Sequence, residues 1–160
     1  MSGSLHAASL VTALCCGLVA GVWFAFSAFV MNGLRRLPAA QGIAAMQSIN
    51  RTAVSALFMT ALFGTAALCA VVAIWAGLSW EDRRAPWVLA GSLLYLLGSV
   101  GVTGAANVPL NDKLARLAPD SAGAAREWDS YVSTWTAWNH VRAVTALAAA
   151  ALLTVAVSGD

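Results

Sequence analysis

Four uninterrupted apolar stretches run along this chain of 160 residues and limit its fold more than any other feature. They extend from Ala7 to Met31, from Ala53 to Leu78, from Trp87 to Ala106 and from Trp135 to Val157. A helix needs roughly 20 apolar residues to cross a hydrocarbon core about 30 Å thick, and each stretch is long enough. The sequence predicts an all-α integral membrane protein, a four-helix up-and-down bundle that forms a single transmembrane domain over residues 1–160.

The composition agrees with a lipid environment. Hydrophobic residues make up 60% of the chain and charged residues 10%, whereas a soluble domain is about 25% charged. The net charge of +2 is small and dispersed, so nothing indicates a nucleic-acid partner. We expect the lipid bilayer and a lipophilic small molecule as partners, and the sequence is compatible with an oligomer.

The first apolar stretch lies where a secretory signal would lie. No Lys or Arg precedes Arg35, and the stretch is much longer than the apolar core of about 7–15 residues in such a signal. We therefore expect a retained span, with a cleaved signal as the alternative.

Basic residues in the connections predict the orientation. The first and third connections hold Arg35, Arg36, Arg51, Lys113, Arg116 and Arg126. Since cytoplasmic loops are enriched in Lys and Arg, we expect loops 32–52 and 107–134 in the cytoplasm and both termini outside.

Small side chains within the spans predict where helices approach closely. The candidates are Gly17 and Gly21 in the first span and Gly91, Gly98, Gly101 and Gly104 in the third. The cysteines Cys15, Cys16 and Cys69 lie inside spans without metal-type spacing. We expect them to be small buried hydrophobic residues.

Polar side chains concentrate at one end of the predicted bundle. In an up-and-down bundle, the ends of spans one and three and the starts of spans two and four share one membrane face. These four ends carry Asn32, Gln47, Asn50, Arg51, Asn107, Asn111, Trp128, Tyr131, Trp135, Trp138, Asn139, His140 and Arg142. The pattern predicts a pocket that opens at one end only.

The segment WNHVR places Asn139, His140 and Arg142 inside the fourth span. An arginine near a helix centre costs about 2.5–3.5 kcal/mol on insertion scales, so such residues usually face the bundle interior or a wet cavity. At about 100° per residue, Arg142 lies on the face of Tyr131 and Trp135 with Asn139 at its edge, and His140 lies about 160° from Arg142. One pocket can hold all three only if it wraps the helix or the helix is distorted.

Ordinary structural roles are alternatives for each of these residues. Arg142 can snorkel towards the headgroups and His140 can hydrogen-bond a neighbouring span. Tryptophan and tyrosine at a span entrance can be interfacial anchors, and asparagines beside a helix end can be turn or cap residues.

Four motifs carry a family resemblance. They are GLVAGVWFAFSAFVM from Gly17 to Met31, MQSIN from Met46 to Asn50, NVPLND from Asn107 to Asp112, and the series of Trp128, Tyr131 and Trp135 that ends in WNHVR at Arg142. Together they resemble the anthrone oxygenase-like family, small four-helix membrane proteins of bacteria and fungi. The resemblance covers nearly the whole chain, and the pairing of NVPLND with WNHVR is its most specific part.

The resemblance implies an oxygenase in a bacterial inner membrane. Family members in aromatic polyketide pathways oxidise an anthrone to an anthraquinone with O2 as co-substrate and no tightly bound cofactor. Such chemistry needs a base, a clamp for the enolate oxygen and an aromatic pocket. We expect His140 as the base, with Tyr131 or an ordered water as the alternative, and Arg142, Asn139 and Asn107 at the oxyanion. The expected substrate-binding residues are Trp135, Trp138, Tyr131, Asn50, Asn111 and Trp128.

Two other functions stay open at this stage. A metal site is not expected, because His6 and His140 belong near opposite membrane faces and no carboxylate lies within a span, although haem or a metal held by His140 alone remains an alternative. The second is a non-catalytic membrane binding or structural subunit. There the polar residues would pack solidly, and Arg142 would pair with Asp112, Glu127 or Asp129.

Overall fold

The structure is a computed structural model that describes residues 3–158, and this part of the chain folds into five helices without a strand. They are α1 (Gly3–Arg35), α2 (Ala39–Ala53), α3 (Ala56–Leu78), α4 (Ala85–Ala115) and α5 (Ala124–Ser158). All except α2 are long and apolar enough to cross a membrane. The predicted all-α membrane bundle of four spans is confirmed.

The helices at the polar end are longer than the predicted spans. Helix α5 has 35 residues and measures roughly 50 Å, so it exceeds a hydrocarbon core of about 30 Å. Helix α4 continues through NVPLND instead of stopping there. Pro109 does not end α4, because it lies in the first turn of the α-helical segment Val108–Ala115, where a missing backbone N–H is tolerated.

Helix α2 occupies most of the region expected to be a connection between spans one and two. Its buried face carries Ile43 and Met46, which pack with residues of α4 and α5 at the polar end. The helix ends at Ala53, and Ser55 begins α3 by accepting a hydrogen bond from the backbone N–H of Phe58. The polar end is therefore a folded layer of helices.

Buried apolar side chains form two clusters. The larger cluster lies in the spans, where α5 packs along α1 and α4, and includes Val19, Val72, Tyr95 and Leu153. The smaller cluster lies at the polar end. It includes Met31, Ile43, Met46, Leu114, Trp128, Tyr131 and Trp135.

The glycines of the spans differ in what surrounds them. A Cβ added at Gly98 would meet the Thr145 side chain at 2.5 Å, and one at Gly91 would meet the Ala149 carbonyl oxygen at 3.1 Å. These two glycines permit the close approach of α4 and α5, as predicted. The prediction is wrong for Gly17, Gly21 and Gly104, since an added Cβ there would meet nothing within 4 Å. At Gly101 an added Cβ would meet only the Leu96 carbonyl oxygen of α4 itself, at 3.5 Å.

Candidate functional site

A cavity of about 680 Å³ lies between the five helices at the polar end. Its size is typical of sites for small organic ligands, which occupy about 300–1,000 Å³. The aromatic side chains that line it are Trp23, Phe26, Phe58 and Trp135, and the polar ones include Asn50, Thr103, Asn111 and Arg142. We call this space the Arg142 cavity, because no other charged side chain among residues 3–158 lines it.

Arg142 is the centre of the site. Its side chain is only 2% exposed, although arginine usually reaches solvent. The guanidinium donates to Asn139 Oδ1 at 2.7 Å and to Thr103 Oγ1 at 3.2 Å, while Nε has no hydrogen-bond partner. Burial of this kind means that Arg142 does not simply snorkel towards the headgroups.

Two indole rings flank the guanidinium. Its central carbon lies 3.8 Å from the centroid of the Trp23 ring and 5.0 Å from that of Trp135. Desolvated cation–π contacts stabilise a charge by about 2 kcal/mol or more, whereas removing an ion from water costs several kcal/mol. The rings therefore offset only part of the desolvation of Arg142.

The carboxylates proposed as structural partners of Arg142 lie elsewhere. Glu127 pairs with Lys113 at 2.6 Å, and Asp129 lies 4.0 Å from Arg35. Within residues 3–158, Arg142 forms no ion pair. Its hydrogen-bond acceptors are neutral, so the site holds a buried positive charge to which the described residues supply no negative counter-charge.

Asn139 connects α5 to α1 and orients Arg142. Its Nδ2 donates to the Trp23 carbonyl and to Ser27 Oγ, each at 2.7 Å, while its Oδ1 accepts from Arg142. Trp23 in turn donates from Nε1 to Ser99 Oγ on α4 at 3.0 Å. These bonds fix the ring and the guanidinium relative to each other.

A second network on α4 fixes the Trp135 ring. Asn111 Oδ1 accepts from Trp135 Nε1 and from the Tyr131 hydroxyl, both at 2.8 Å. Asn107 Nδ2 donates to the Trp135 carbonyl at 3.2 Å, and the Asn107 Oδ1 atom has no hydrogen-bond partner. Asn50 lies beside the Tyr131 hydroxyl. The NVPLND motif therefore holds one wall of the cavity in place.

Wide π-type turns interrupt the helices around the cavity. They span Phe26–Val30 in α1, Thr60–Gly64 in α3, and Leu94–Gly101 and Thr103–Asn107 in α4. Such turns are frequent at functional sites. Phe26, Leu62 and Thr103 lie within these segments and line the cavity.

The structure brings together most of the residues predicted for the site. Arg142, Trp135, Asn50 and Asn111 line the cavity, and Asn139, Asn107 and Tyr131 bond to lining residues. Two of the predicted aromatic residues lie outside it. Trp138 is 43% exposed, and Trp128 is buried where it stacks on Tyr131 with ring centroids 5.6 Å apart.

His140 lies on a different surface from Arg142. It is exposed and lines a separate groove of about 420 Å³ between α1 and α5, together with Gly17, Gly21 and Phe24. The cause is the angular offset expected from the sequence, because α5 is a regular α-helix throughout Ala124–Ser158 and no distortion turns His140 inward. The expectation of His140 as the base beside Arg142 is therefore corrected.

Ionisable groups other than Arg142 are missing from the described lining of the cavity. Within residues 3–158, no Asp, Glu, His, Lys, Cys or Tyr side chain lines it. The described residues also contain no group of three or more His, Cys, Asp or Glu side chains placed to hold a metal ion. The arrangement is suited to bind a negative charge beside aromatic rings.

Sequence reasoning missed several residues of the site, among them Trp23, Phe26, Phe58 and Thr103. Trp23 and Phe26 lie in the WFAF motif, which supports the family resemblance, yet neither was predicted to line a site. Thr103 accepts from Arg142 and donates to the Ser99 carbonyl at 2.8 Å. The i, i+3 spacing of Trp23 and Phe26, which puts both rings on one helix face, could have identified them.

Comparisons with known proteins agree with the resemblance. A family model described as anthrone oxygenase matches residues 54–152, which include all of α3 and α4 and most of α5. The matched region contains Asn107, Asn111, Trp135, Asn139 and Arg142. No curated protein and no solved structure matches the chain.

Proposed function

The chain belongs to the anthrone oxygenase family, and from this premise we propose that it is a membrane oxygenase acting on a lipophilic, enolisable aromatic substrate. The Arg142 cavity is the proposed site, and O2 is the co-substrate. One observation carries the proposal. A cavity of about 680 Å³ joins four aromatic rings to a buried arginine that has no counter-ion among the described residues.

The proposed reaction takes its electrons from the substrate. Loss of a proton from the methylene carbon gives an enolate, whose carbon transfers electrons to O2 and bonds to it, and protonation yields a hydroperoxide. Loss of the remaining methylene proton then breaks the O–O bond, so that a carbonyl forms and water leaves. Each substrate consumes one O2 and releases one water, so the reaction needs no external electron donor, and the proposal includes no cofactor.

The residues of the cavity fit the charge that develops in this reaction. Negative charge moves to the enolate oxygen, and a fixed guanidinium stabilises it without reorganisation at the moment of reaction. Trp23 and Trp135 provide flat surfaces on which a polycyclic aromatic ring system can stack. Asn139 is a positioning residue, because its bonds hold Arg142 and Trp23 together.

The test is oxygenation by purified, chelator-treated protein in neutral detergent with anthrone or emodin anthrone as substrate. We expect O2 consumption faster than spontaneous autoxidation, together with quinone that carries oxygen from isotopically labelled O2. A rate equal to autoxidation would contradict the oxygenase proposal and favour a non-catalytic binding subunit. Activity that is lost with the chelator and restored by a metal would contradict the proposal that no cofactor is required.

A further inference from the structure

We propose that the Arg142 cavity binds its ligand as a preformed aromatic oxyanion, with Arg142 as the counter-ion. The ligand class is an enolate, phenolate or carboxylate on a flat apolar body. The inference rests on the proposed function only for the aromatic body, whereas the preference for an anion follows from the residues of the cavity.

Arg142 carries a positive charge that no described residue balances. Buried charges in proteins are normally paired, because the desolvation of a lone ion is unfavourable. Arg142 is 2% exposed and, within the described chain, contacts only neutral partners and two indole rings. A ligand that supplies a negative charge would complete the pair.

The direction of the hydrogen bonds at Asn111 leaves a free N–H donor on the cavity wall, as far as the described residues go. Trp135 Nε1 can only donate, so the Asn111 atom that it contacts must be the amide oxygen. The amide orientation of Asn111 is therefore fixed, and its Nδ2 has no hydrogen-bond partner among residues 3–158. Asn111 and Arg142 both line the cavity. Asn111 thus contributes an unused N–H donor and Arg142 a positive charge, and both favour a negatively charged acceptor.

The described lining of the cavity contains no base. No described lining residue of the cavity is a carboxylate, a histidine or another group that takes a proton near neutral pH. Because a cationic site favours the deprotonated form of an acidic ligand, the substrate can give its proton to water before it reaches Arg142. The protein then selects the anion instead of forming it with a side-chain base.

The surroundings of the cavity offer a route for such a ligand. Val54 and Ser55, at the junction of α2 and α3, line the cavity and are exposed, and the Val54 side chain is 73% exposed. The neighbouring Arg51 is exposed as well. An amphiphile with an apolar body and one anionic oxygen can therefore reach Arg142 from outside the bundle at this junction.

The test compares two ligands that cannot be oxidised in the proposed reaction. Anthraquinone-2-carboxylate and 2-(hydroxymethyl)anthraquinone share a ring system and differ in charge, and binding is followed by quenching of tryptophan fluorescence in neutral micelles. We expect the carboxylate to bind about 10- to 100-fold more tightly, as for a hydrogen bond to a charged group. Arg142→Gln should abolish the preference, while His140→Ala, which changes a residue outside the cavity, should leave it within about twofold.

The outcomes separate this inference from the proposed function. Equal affinity of the two ligands in the wild type would overturn the anion site, even if the protein oxidises an anthrone. A preference that depends on Arg142 would support the anion site even if no oxygenation occurs. If dodecanoate bound as tightly as the aromatic carboxylate, the proposal that the ligand has an aromatic body would be overturned. The comparison of ligands in the wild type remains decisive if Arg142→Gln does not fold.

Discussion

Asn139 Oδ1 accepts a hydrogen bond of 2.7 Å from the Arg142 guanidinium, one helical turn further along α5. The two side chains share the buried face of the helix, and His140 between them in sequence lies on the exposed surface. The side chains of the WNHVR segment therefore lie on two different surfaces. Asn139 and Arg142 belong to the cavity, and His140 belongs to the groove between α1 and α5.

Replacing Asn139 by leucine tests the link between α1 and α5. The substitution removes the hydrogen bonds from Asn139 to the Trp23 carbonyl and from Arg142 to Asn139, and leaves Arg142 with Thr103 as its acceptor, so we expect the free energy of unfolding to fall by about 1–3 kcal/mol. The measurement is unfolding in mixed micelles with a denaturing detergent, followed by circular dichroism. Trp138→Leu is the control at an exposed position of the same helix. If the free energy of unfolding of Asn139→Leu lay within about 0.5 kcal/mol of that of the control, the hydrogen bonds assigned to Asn139 would be contradicted.

The glycines of α4 give a matched pair for the packing against α5. A Cβ at Gly98 would lie 2.5 Å from Thr145, whereas a Cβ at Gly104 would meet nothing within 4 Å. We expect Gly98→Ala to destabilise the bundle by about 1–3 kcal/mol because the helices must separate. Gly104→Ala should be neutral or slightly stabilising, since alanine favours helix. Equal stability of both variants in the same unfolding measurement would show that α4 and α5 are not in close contact at Gly98.

The orientation in the membrane remains a prediction from the loop charges. Arg116 and Arg126 flank the connection between α4 and α5, which we expect in the cytoplasm. In a variant without native cysteines, an impermeant maleimide added to intact cells should label Glu81→Cys and leave Ser121→Cys unlabelled until the cells are opened. The reverse labelling pattern would mean that the bundle has the opposite orientation.

The spans were predictable because lipid imposes a simple length requirement. Apolar runs long enough to cross the bilayer appear directly in the sequence, and the alternation of an up-and-down bundle then brings the polar ends together. This reasoning predicted that five residues lie at the same end of the bundle, namely Asn107, Asn111, Trp135, Asn139 and Arg142. The structure places all five in or beside one cavity.

Other features depend on contacts that a hydropathy pattern does not contain. Trp23 and Phe26 lie in an apolar span whose composition does not distinguish a lining ring from a lipid-facing one. The third apolar stretch ends at Ala106, but α4 continues through Pro109, which lies in the first turn of the α-helical segment that follows the π-type turn of Thr103–Asn107. His140 was predicted to be the base because an imidazole can accept a proton. Its angle on the helix, about 160° from Arg142, places it outside the cavity instead.

The most direct measurement is the rate of O2 uptake with anthrone as substrate for the wild type, Arg142→Gln and His140→Ala in the same neutral detergent. The account predicts a decrease of about 100-fold or more in Arg142→Gln, as for the loss of an oxyanion-stabilising donor. It predicts a rate within about twofold of the wild type for His140→Ala, because that residue lies outside the cavity. Helical content measured by circular dichroism controls for folding. Loss of activity in a folded His140→Ala protein, with Arg142→Gln unaffected, would contradict the account.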